Sequence, residues 1–193
     1  FEPHPREVLY PLEKKPGILT TLDEKAAILE SLGVAHLIIL PFTRALAELT
    51  YSDFVRNLLV DRIGVKGLVI GYDHRFGRNR EGTFDKLKVL SEKYHFYLEQ
   101  EEVYEEHDIN ISSTKIRNAL QIGDIARVNE FLGYSYSLSG IVVQGDQIGR
   151  QMGFPTANIE LKDERKLLPA AGVYAVKVFV GDNSYQGMLN IGV

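Results

Sequence analysis

A glycine- and arginine-rich segment, GYDHRFGRNREG at residues 71–82, directly follows a short predicted strand. Its three glycines allow the backbone to approach a ligand closely, and its three arginines can neutralise phosphates. Asp73 can accept hydrogen bonds from a ring N–H or a hydroxyl. Ligands bind beyond the carboxyl ends of strands in open α/β sheets, so the position favours a ligand loop. Composition alone fits a solvated basic turn equally well.

The segment ISSTKIR, residues 111–117, is a second candidate site because it begins a predicted helix. Serines ahead of a helix leave its first N–H groups pointing outward, and with Lys115 and Arg117 they form a phosphate pocket. Ser and Thr are also ordinary N-caps, which is the commoner interpretation. The two cations favour a ligand, because in a first helical turn they oppose the helix dipole. We expect residues 112–117 and 71–82 to face one shared crevice.

The histidines are weaker evidence for a functional site. His4 stands between Pro3 and Pro5, which excludes it from a helix interior and predicts a stiff loop residue at a strand end. The other four histidines, at positions 36, 74, 95 and 107, lack metal-ligand spacing. Neither a Ser-His-Asp arrangement nor a Walker motif is visible. A further loop, GDQIGRQMGFPTAN at residues 145–158, is too polar and glycine-rich for a core element.

Composition limits the function classes. The chain has 193 residues, 45% of them apolar and 25% charged, enough for one large domain or two small ones. Its net charge of −4 does not suggest nucleic-acid or membrane-surface binding, and no apolar run approaches the roughly 18 residues of a membrane span. The absence of cysteine excludes disulfides and thiolate metal sites. We expect a soluble, cytoplasmic protein whose partners are small molecules, and the oligomeric state stays open.

The first two-thirds of the chain alternate between predicted helices and strands. Thr21 and Glu24 have capping-box spacing, which predicts a helix from there to residue 32 with Gly33 as its stop. A second helix, capped by Thr50 or Asp53, is expected to bury one apolar stripe, formed by Phe54, Val55, Leu58, Leu59 and Ile63. Further helices are predicted over residues 84–94, 114–121 and 125–132, and strands over 34–40 (buried), 67–70 and from 96. This alternation predicts a mostly parallel, doubly wound sheet.

Beyond about Tyr134 the pattern becomes all-β. Strands are predicted over residues 137–143, 172–180 and 185–191, and Gly181-Asp182-Asn183 predicts a hairpin turn between the last two. We therefore predict two modules, residues 1–133 and 134–193.

Four motifs occur in one order along the chain: FEPHP, GYDHRFG, SSTKIR and GRQMGFPTAN. In this order they resemble the bacterial bifunctional riboflavin kinase/FMN adenylyltransferases, also called FAD synthetases. The resemblance implies a Rossmann-like nucleotidyltransferase module over residues 1–133, followed by a truncated riboflavin kinase module over 134–193, built on a six-stranded β-barrel. It also implies phosphorylation of riboflavin to FMN and adenylylation of FMN to FAD, with ATP and Mg²⁺.

The resemblance assigns roles to individual residues. The flavin of the adenylyltransferase would lie against Asp73, Phe76, Pro3 and Pro5. The phosphates of its ATP would be held by Ser112, Ser113, Thr114 and Arg117. The ATP of the kinase would lie near Gly149, Arg150, Gly153, Pro155 and Thr156. Thr156 and Asn158 would be oxygen ligands of Mg²⁺. His74 is a departure, since many relatives have Phe there.

Two parts of the family pattern are missing from the 193 residues. The resemblance implies a Gly-Phe-Asp-Gly-Val-His-x-Gly-His stretch before the FEPHP motif, and a glutamate base beyond Asn190-Ile191-Gly192. We therefore expect a fragment that lacks both ends, with the catalytic residues outside it and little or no turnover by residues 1–193 alone. A non-catalytic flavin- or nucleotide-binding module on the same fold is the alternative. A sugar or cytidylyl transferase ranks last, because it leaves the all-β third unexplained.

Overall fold

The computed structural model describes residues 1–10, 17–102, 105–106, 109–145, 153 and 156–192. The chain divides into two compact units. Unit 1 comprises Phe1–Lys15 and His36–Glu105, and unit 2 comprises Pro16–Ala35 and Glu106–Val193. Unit 2 thus joins an early segment to the C-terminal half of the chain. The module boundary near residue 134 stays a prediction.

In the described residues, helices predominate up to Leu132, with short strands between them, and the chain beyond Gly140 is strand-rich. The helices are α1 (Pro5–Leu9), α2 (Leu22–Ser31), α3 (Arg44–Ala47), α4 (Tyr51–Asp53), which continues as a π-helix (Phe54–Ile63), α5 (Phe84–Tyr94), α6 (Ser113–Gln121) and α7 (Ile125–Leu132). The strands are β1 (Gly67–Gly71), β2 (Tyr97–Glu101), β3 (Glu105–Glu106), β4 (Ile109–Asn110), β5 (Gly140–Val143), β6 (Asn158–Leu161), β7 (Gly172–Val180) and β8 (Asn183–Ile191). No helix within the described ranges combines the length and apolarity needed to cross a membrane.

Unit 1 is built on a parallel pair of strands. β1 and β2 run in register from Gly67↔Tyr97 to Gly71↔Glu101. Its core consists of Val55, Ile70, Leu87, Leu90 and Phe96. The predicted helix over 84–94 and the strand from 67 are confirmed. The parallel arrangement is confirmed as well, but the part of the chain that is described gives this sheet only two strands.

The helix predicted near Thr50 is confirmed at its start and differs at its end. The Asp53 backbone N–H donates to Thr50 Oγ1 over 3.1 Å, so Thr50 is the cap. From Phe54 onward the helix is a π-helix, whose i→i+5 bonds replace the α spacing on which the predicted stripe depended. Val55 is fully buried, whereas Ile63 is 40% exposed, so the stripe is wrong at its last member.

The buried strand predicted over residues 34–40 is wrong. These residues form no strand, and Val34, Leu37, Ile38 and Ile39 are exposed. Among the described residues of unit 1, the backbone hydrogen bond to this segment lies at its end, where the Glu2 N–H donates to the Leu40 carbonyl over 3.1 Å. An apolar run favours burial, but a buried strand also needs neighbours to satisfy its backbone groups.

Unit 2 packs α6 against α7. The buried residues of this core are Ile116, Ala119, Leu120, Val128 and Phe131, with Leu19, Tyr136 and Leu167 packed against them. The capping box of α2 is confirmed, because the Glu24 N–H donates to Thr21 Oγ1 and the Thr21 N–H donates to Glu24 Oε2. The helices predicted over 114–121 and 125–132 are also confirmed.

The strand-rich region contains two antiparallel pairs, β5 with β6 and β7 with β8. The hairpin predicted after residue 180 is confirmed, with Gly181 at φ +56° in its turn. β5 begins at Gly140 rather than residue 137, and before it the Tyr136 N–H donates to Asn129 Oδ1 over 2.7 Å. Within the described ranges, the sheets are two-stranded and none closes into a barrel.

Candidate functional site

The 71–82 loop leaves the carboxyl end of β1 and folds back on itself. His74 N–H donates to the Gly71 carbonyl, and Phe76 and Gly82 exchange two backbone hydrogen bonds of 2.9 and 3.4 Å. The half-buried Phe76 ring lies 5.5 Å from the Phe54 ring and packs on the core of unit 1. The loop predicted from the sequence is therefore a structured turn with one aromatic anchor.

The second half of this loop is fastened to the start of α4. Arg78 N–H donates to the Leu49 carbonyl over 2.7 Å, and Tyr51 N–H donates to Glu81 Oε1 over 3.2 Å. Gly77 has φ +73°, and a Cβ there would lie 2.7 Å from the Tyr51 nitrogen. Both the left-handed backbone and the close approach to Tyr51 require glycine at this position.

The tip of the loop faces solvent. Asp73, His74 and Arg75 are exposed, and the His74 ring stacks on the Phe76 ring with a centroid distance of 6.1 Å and an interplanar angle of 19°. The exposed Asp73 carboxylate can accept hydrogen bonds from a ligand, and the exposed His74 ring offers a flat surface on which a planar ligand can stack. His74 thus keeps a flat surface at the position where the family resemblance implies an aromatic residue.

The first five residues lead into α1. His4 is the N-cap of this helix, and its Nδ1 accepts a hydrogen bond from the Arg6 N–H over 3.1 Å. Pro5 occupies the first helical position and is half-buried, whereas Pro3 is exposed and follows a cis peptide bond. The expectation that His4 lies outside a helix interior is confirmed. The flavin role of the two prolines stays a prediction.

The start of α6 presents the second set of candidate residues. Ser112 is the N-cap, and its Oγ accepts from the Lys115 N–H over 3.4 Å. Ser112, Ser113 and Thr114 are exposed, while Arg117 is half-buried and donates from Nε to the Gly17 carbonyl over 3.1 Å. The N-cap interpretation is confirmed, and phosphate binding stays a prediction. This helix belongs to unit 2 and the 71–82 loop to unit 1, so the shared crevice also stays a prediction.

The 145–158 loop is described only in part. Gly149, Arg150 and Pro155 lie outside the described residues. Gly153, at φ +80°, and Thr156 are exposed. Asn158 is exposed at the first position of β6, opposite Val143 of β5.

Asn158 also has a close neighbour in Gly145. A Cβ added to Gly145 would overlap the side-chain amide of Asn158. The absence of a side chain at residue 145 therefore lets the Asn158 amide lie over the backbone there.

A buried ion pair in unit 2 was not foreseen from the sequence. Lys166 Nζ donates to Glu24 Oε2 and to the Leu19 carbonyl, each over 2.6 Å. The Tyr136 ring lies 4.2 Å from the same ammonium, and Ser139 Oγ donates to Glu24 Oε1 over 3.4 Å. The capping-box spacing identified Glu24, but a partner 142 residues away gives no local signal.

Burial governs the titration of this cluster. Burial lowers the pKa of Lys166, and the hydrogen bond and charge of Glu24 oppose that effect. Burial raises the pKa of Tyr136, and the negative charge of Glu24 raises it further. The contact with Glu24 therefore offsets part of the cost of placing an ammonium in this buried position. Within the described part of the chain, no group of three or more His, Cys, Asp or Glu residues could hold a metal ion.

The parallel pair of β1 and β2, with α5 between them in the chain, is an α/β arrangement, and its glycine-rich loop lies at the carboxyl end of β1, where ligands bind in open α/β sheets. Comparison with family models agrees with that class. The FAD synthetase model matches residues 1–115, and the riboflavin kinase model matches residues 132–193. The chain belongs to the FAD synthetase family.

Similar proteins cover the whole chain. The bifunctional riboflavin kinase/FMN adenylyltransferases of Escherichia coli (strain K12), Pseudomonas fluorescens and Listeria monocytogenes are 41%, 38% and 37% identical over 193 residues. These matches cover 100% of this chain but 61%, 61% and 60% of those relatives, so the chain spans less than two-thirds of their length. A solved structure described as a macrolide-efflux protein from Streptococcus pneumoniae has a TM-score of 0.86 and 30% identity, covering 98% of this chain and 60% of that one.

Proposed function

We propose that the protein containing this chain makes FAD from riboflavin in two ATP-dependent steps, phosphorylation to FMN and adenylylation to FAD. The observation that supports this most strongly is the succession of an FAD synthetase match and a riboflavin kinase match on one chain. Both matching families are named for flavin chemistry, which favours FAD synthesis over the efflux role in the name of the Streptococcus pneumoniae structure.

In the adenylylation step, a phosphate oxygen of FMN attacks the α-phosphorus of ATP, a new P–O bond forms, and pyrophosphate leaves. Catalysis of such a transfer depends on positioning and on neutralising charge. The start of α6 suits the ATP phosphates, since Ser112, Ser113 and Thr114 are exposed and the Arg117 guanidinium lies one turn further along.

The flavin of this step is assigned to the 71–82 loop. The exposed Asp73 carboxylate would accept hydrogen bonds from the flavin, and Phe76, with His74 stacked on it, would present an aromatic surface. Pro3 and Pro5 complete the proposed flavin contacts. The hydrogen bonds from the Arg78 N–H to the Leu49 carbonyl and from the Tyr51 N–H to Glu81 Oε1 would hold the loop in place while the ligand binds.

In the kinase step, the riboflavin 5′-hydroxyl attacks the γ-phosphorus of ATP, and ADP leaves as the hydroxyl gives up its proton. Gly149, Arg150, Gly153 and Pro155 are proposed to lie near the phosphates, in a module completed as a β-barrel. The hydroxyl of Thr156 and the amide oxygen of Asn158 are hard oxygen donors on exposed side chains, so this donor set fits Mg²⁺. A bound Mg²⁺ would neutralise phosphate charge, while Thr156 and Asn158 orient the nucleotide.

Product analysis tests the proposal. The gene product that contains these residues would be incubated with ATP and Mg²⁺, with riboflavin in one reaction and FMN in another, and flavins separated by chromatography. We expect FMN and ADP first, then FAD and pyrophosphate. Flavin or ATP binding with neither ADP nor pyrophosphate released would instead identify a non-catalytic binding module.

A further inference from the structure

Arg117, the candidate phosphate ligand on α6, depends for its orientation on a segment far away in sequence. Its Nε donates to the carbonyl of Gly17, 100 residues earlier in the chain. A guanidinium fixed through Nε keeps its remaining donors pointing in one direction, which is how a planar fork selects phosphate oxygens. Whatever holds the Gly17 carbonyl in place therefore also orients Arg117.

The segment at 17–19 is held by the segment at 165–167. Ile18 N–H donates to the Arg165 carbonyl over 2.8 Å, and Leu167 N–H donates to the Ile18 carbonyl over 3.0 Å. Gly17 itself lies so close that a Cβ there would be 3.0 Å from the Leu167 Cβ. The backbones meet with no room for a side chain at residue 17.

The Lys166 ammonium links the 165–167 segment to residues 19 and 24. It donates to the Leu19 carbonyl and to Glu24, with a side chain only 2% exposed. Loss of the ammonium would leave the Leu19 carbonyl and the Glu24 carboxylate without their charged donor in a buried place, and the 17–24 segment would shift to solvate them.

We infer that Lys166, inside the segment that matches riboflavin kinase, is a positioning residue for ATP in the adenylylation step, acting through residues 17–19 on Arg117. The inference rests on the proposed role of Arg117. It predicts that an alteration in the kinase segment changes the use of ATP by the other reaction.

Two chemically unrelated variants test it in the whole gene product. Lys166→Met removes the buried charge, with Lys162→Met, an exposed lysine four positions earlier, as its control. Gly17→Ala removes no charge but pushes the 17–19 segment away from Leu167, with Gly172→Ala as its control, because a Cβ at residue 172 would meet nothing nearer than 3.7 Å. Each variant is assayed for FMN adenylylation and riboflavin phosphorylation, with KM for ATP and KM for FMN measured separately.

We expect both test variants to raise the KM for ATP in adenylylation about tenfold, as for a misaligned charge-assisted hydrogen bond, while the KM for FMN and the KM for ATP in phosphorylation stay unchanged. A merely structural role would lower the amount of folded enzyme, and hence the maximal rate, without moving the KM for ATP. Gly17→Ala provides the answer alone if Lys166→Met does not fold.

If the wild-type enzyme is active and the folded test variants keep its KM for ATP, the inference is overturned and the proposed function is not. An equal rise of the KM in both reactions, or in the controls, would overturn it as well. A wild-type protein that forms no FAD from FMN would overturn the proposed function, and the inference with it.

Discussion

Lys166 Nζ and Glu24 Oε2 lie 2.6 Å apart, with both side chains buried, although the residues are 142 positions apart in sequence. Removing one member of a buried ion pair leaves the other charged and unpaired. We expect Lys166→Met to lower the free energy of unfolding by about 3–5 kcal/mol. Urea unfolding measures this.

The double variant Glu24→Met/Lys166→Met is the matched comparison for this ion pair. It removes both charges, so it is expected to lose less stability than Lys166→Met alone. Additive losses in the double variant would show that the two charges do not stabilise each other.

Tyr136 predicts a pH dependence on the alkaline side. Burial and the charge of Glu24 raise its pKa in the folded protein, so above about pH 10 the folded state holds a proton that the unfolded state loses. Stability from this group is therefore fully present below pH 10 and falls as pH rises above it. Tyr136→Phe removes this fall and costs about 1 kcal/mol below pH 10, through loss of its hydrogen bond to the Leu167 carbonyl.

Urea unfolding midpoints between about pH 8 and 11 measure the effect of Tyr136→Phe. The lowered pKa of Lys166 makes the free energy of unfolding rise with pH near the titration of that lysine. Because Lys166 is present in both proteins, this contribution cancels when Tyr136→Phe is compared with the wild type. Tyr185→Phe, at an exposed tyrosine, is the control. An equally steep alkaline loss in Tyr136→Phe would contradict the assignment.

Ser112 distinguishes a helix cap from a phosphate ligand. Ser112→Ala removes the cap of α6 and is expected to cost about 1 kcal/mol of stability. Asp124→Ala removes the cap of α7, where Asp124 Oδ1 accepts from the Arg127 N–H, and is expected to cost a similar amount. Only Ser112→Ala should raise the KM for ATP in FMN adenylylation. Equal KM values in the two variants would leave Ser112 as a cap alone.

Gly77 tests the architecture of the 71–82 loop. Gly77 and Gly64 share left-handed backbones, at φ +73° and +70°, so alanine costs about 1–2 kcal/mol of strain at either. Gly77→Ala also drives a Cβ against the Tyr51 backbone, whereas a Cβ at Gly64 meets nothing within 4 Å. We expect only Gly77→Ala to raise the KM for FMN. An unchanged KM for FMN in Gly77→Ala would show that the shape of the 71–82 loop does not affect flavin binding.

The elements that could be predicted from the sequence are those with local signals. α5 and α7 have apolar residues at helical intervals, and the turn at Gly181 follows from glycine's tolerance of positive φ. The strand expected over residues 34–40 failed because its apolar run says nothing about available partners. An apolar pattern reports what a segment can bury, not whether a neighbour exists.

The candidate site shows the same division. The N-cap role of Ser112 and the position of the 71–82 loop at a strand end follow from short stretches of sequence. The bond from Arg117 to the Gly17 carbonyl and the Glu24–Lys166 pair join residues at least 100 positions apart. Such contacts arise only once the chain has folded, so no spacing rule could have predicted them.

If residues of one chain serve two separate reactions, Thr156→Ala and Asn158→Ala in the whole gene product should separate those reactions. Each variant is assayed for FMN formation from riboflavin and, independently, for FAD formation from FMN. We expect riboflavin phosphorylation to be abolished or sharply lowered, because each variant removes a proposed oxygen donor for Mg²⁺, while FMN adenylylation stays nearly intact. Equal loss of both activities would contradict the account.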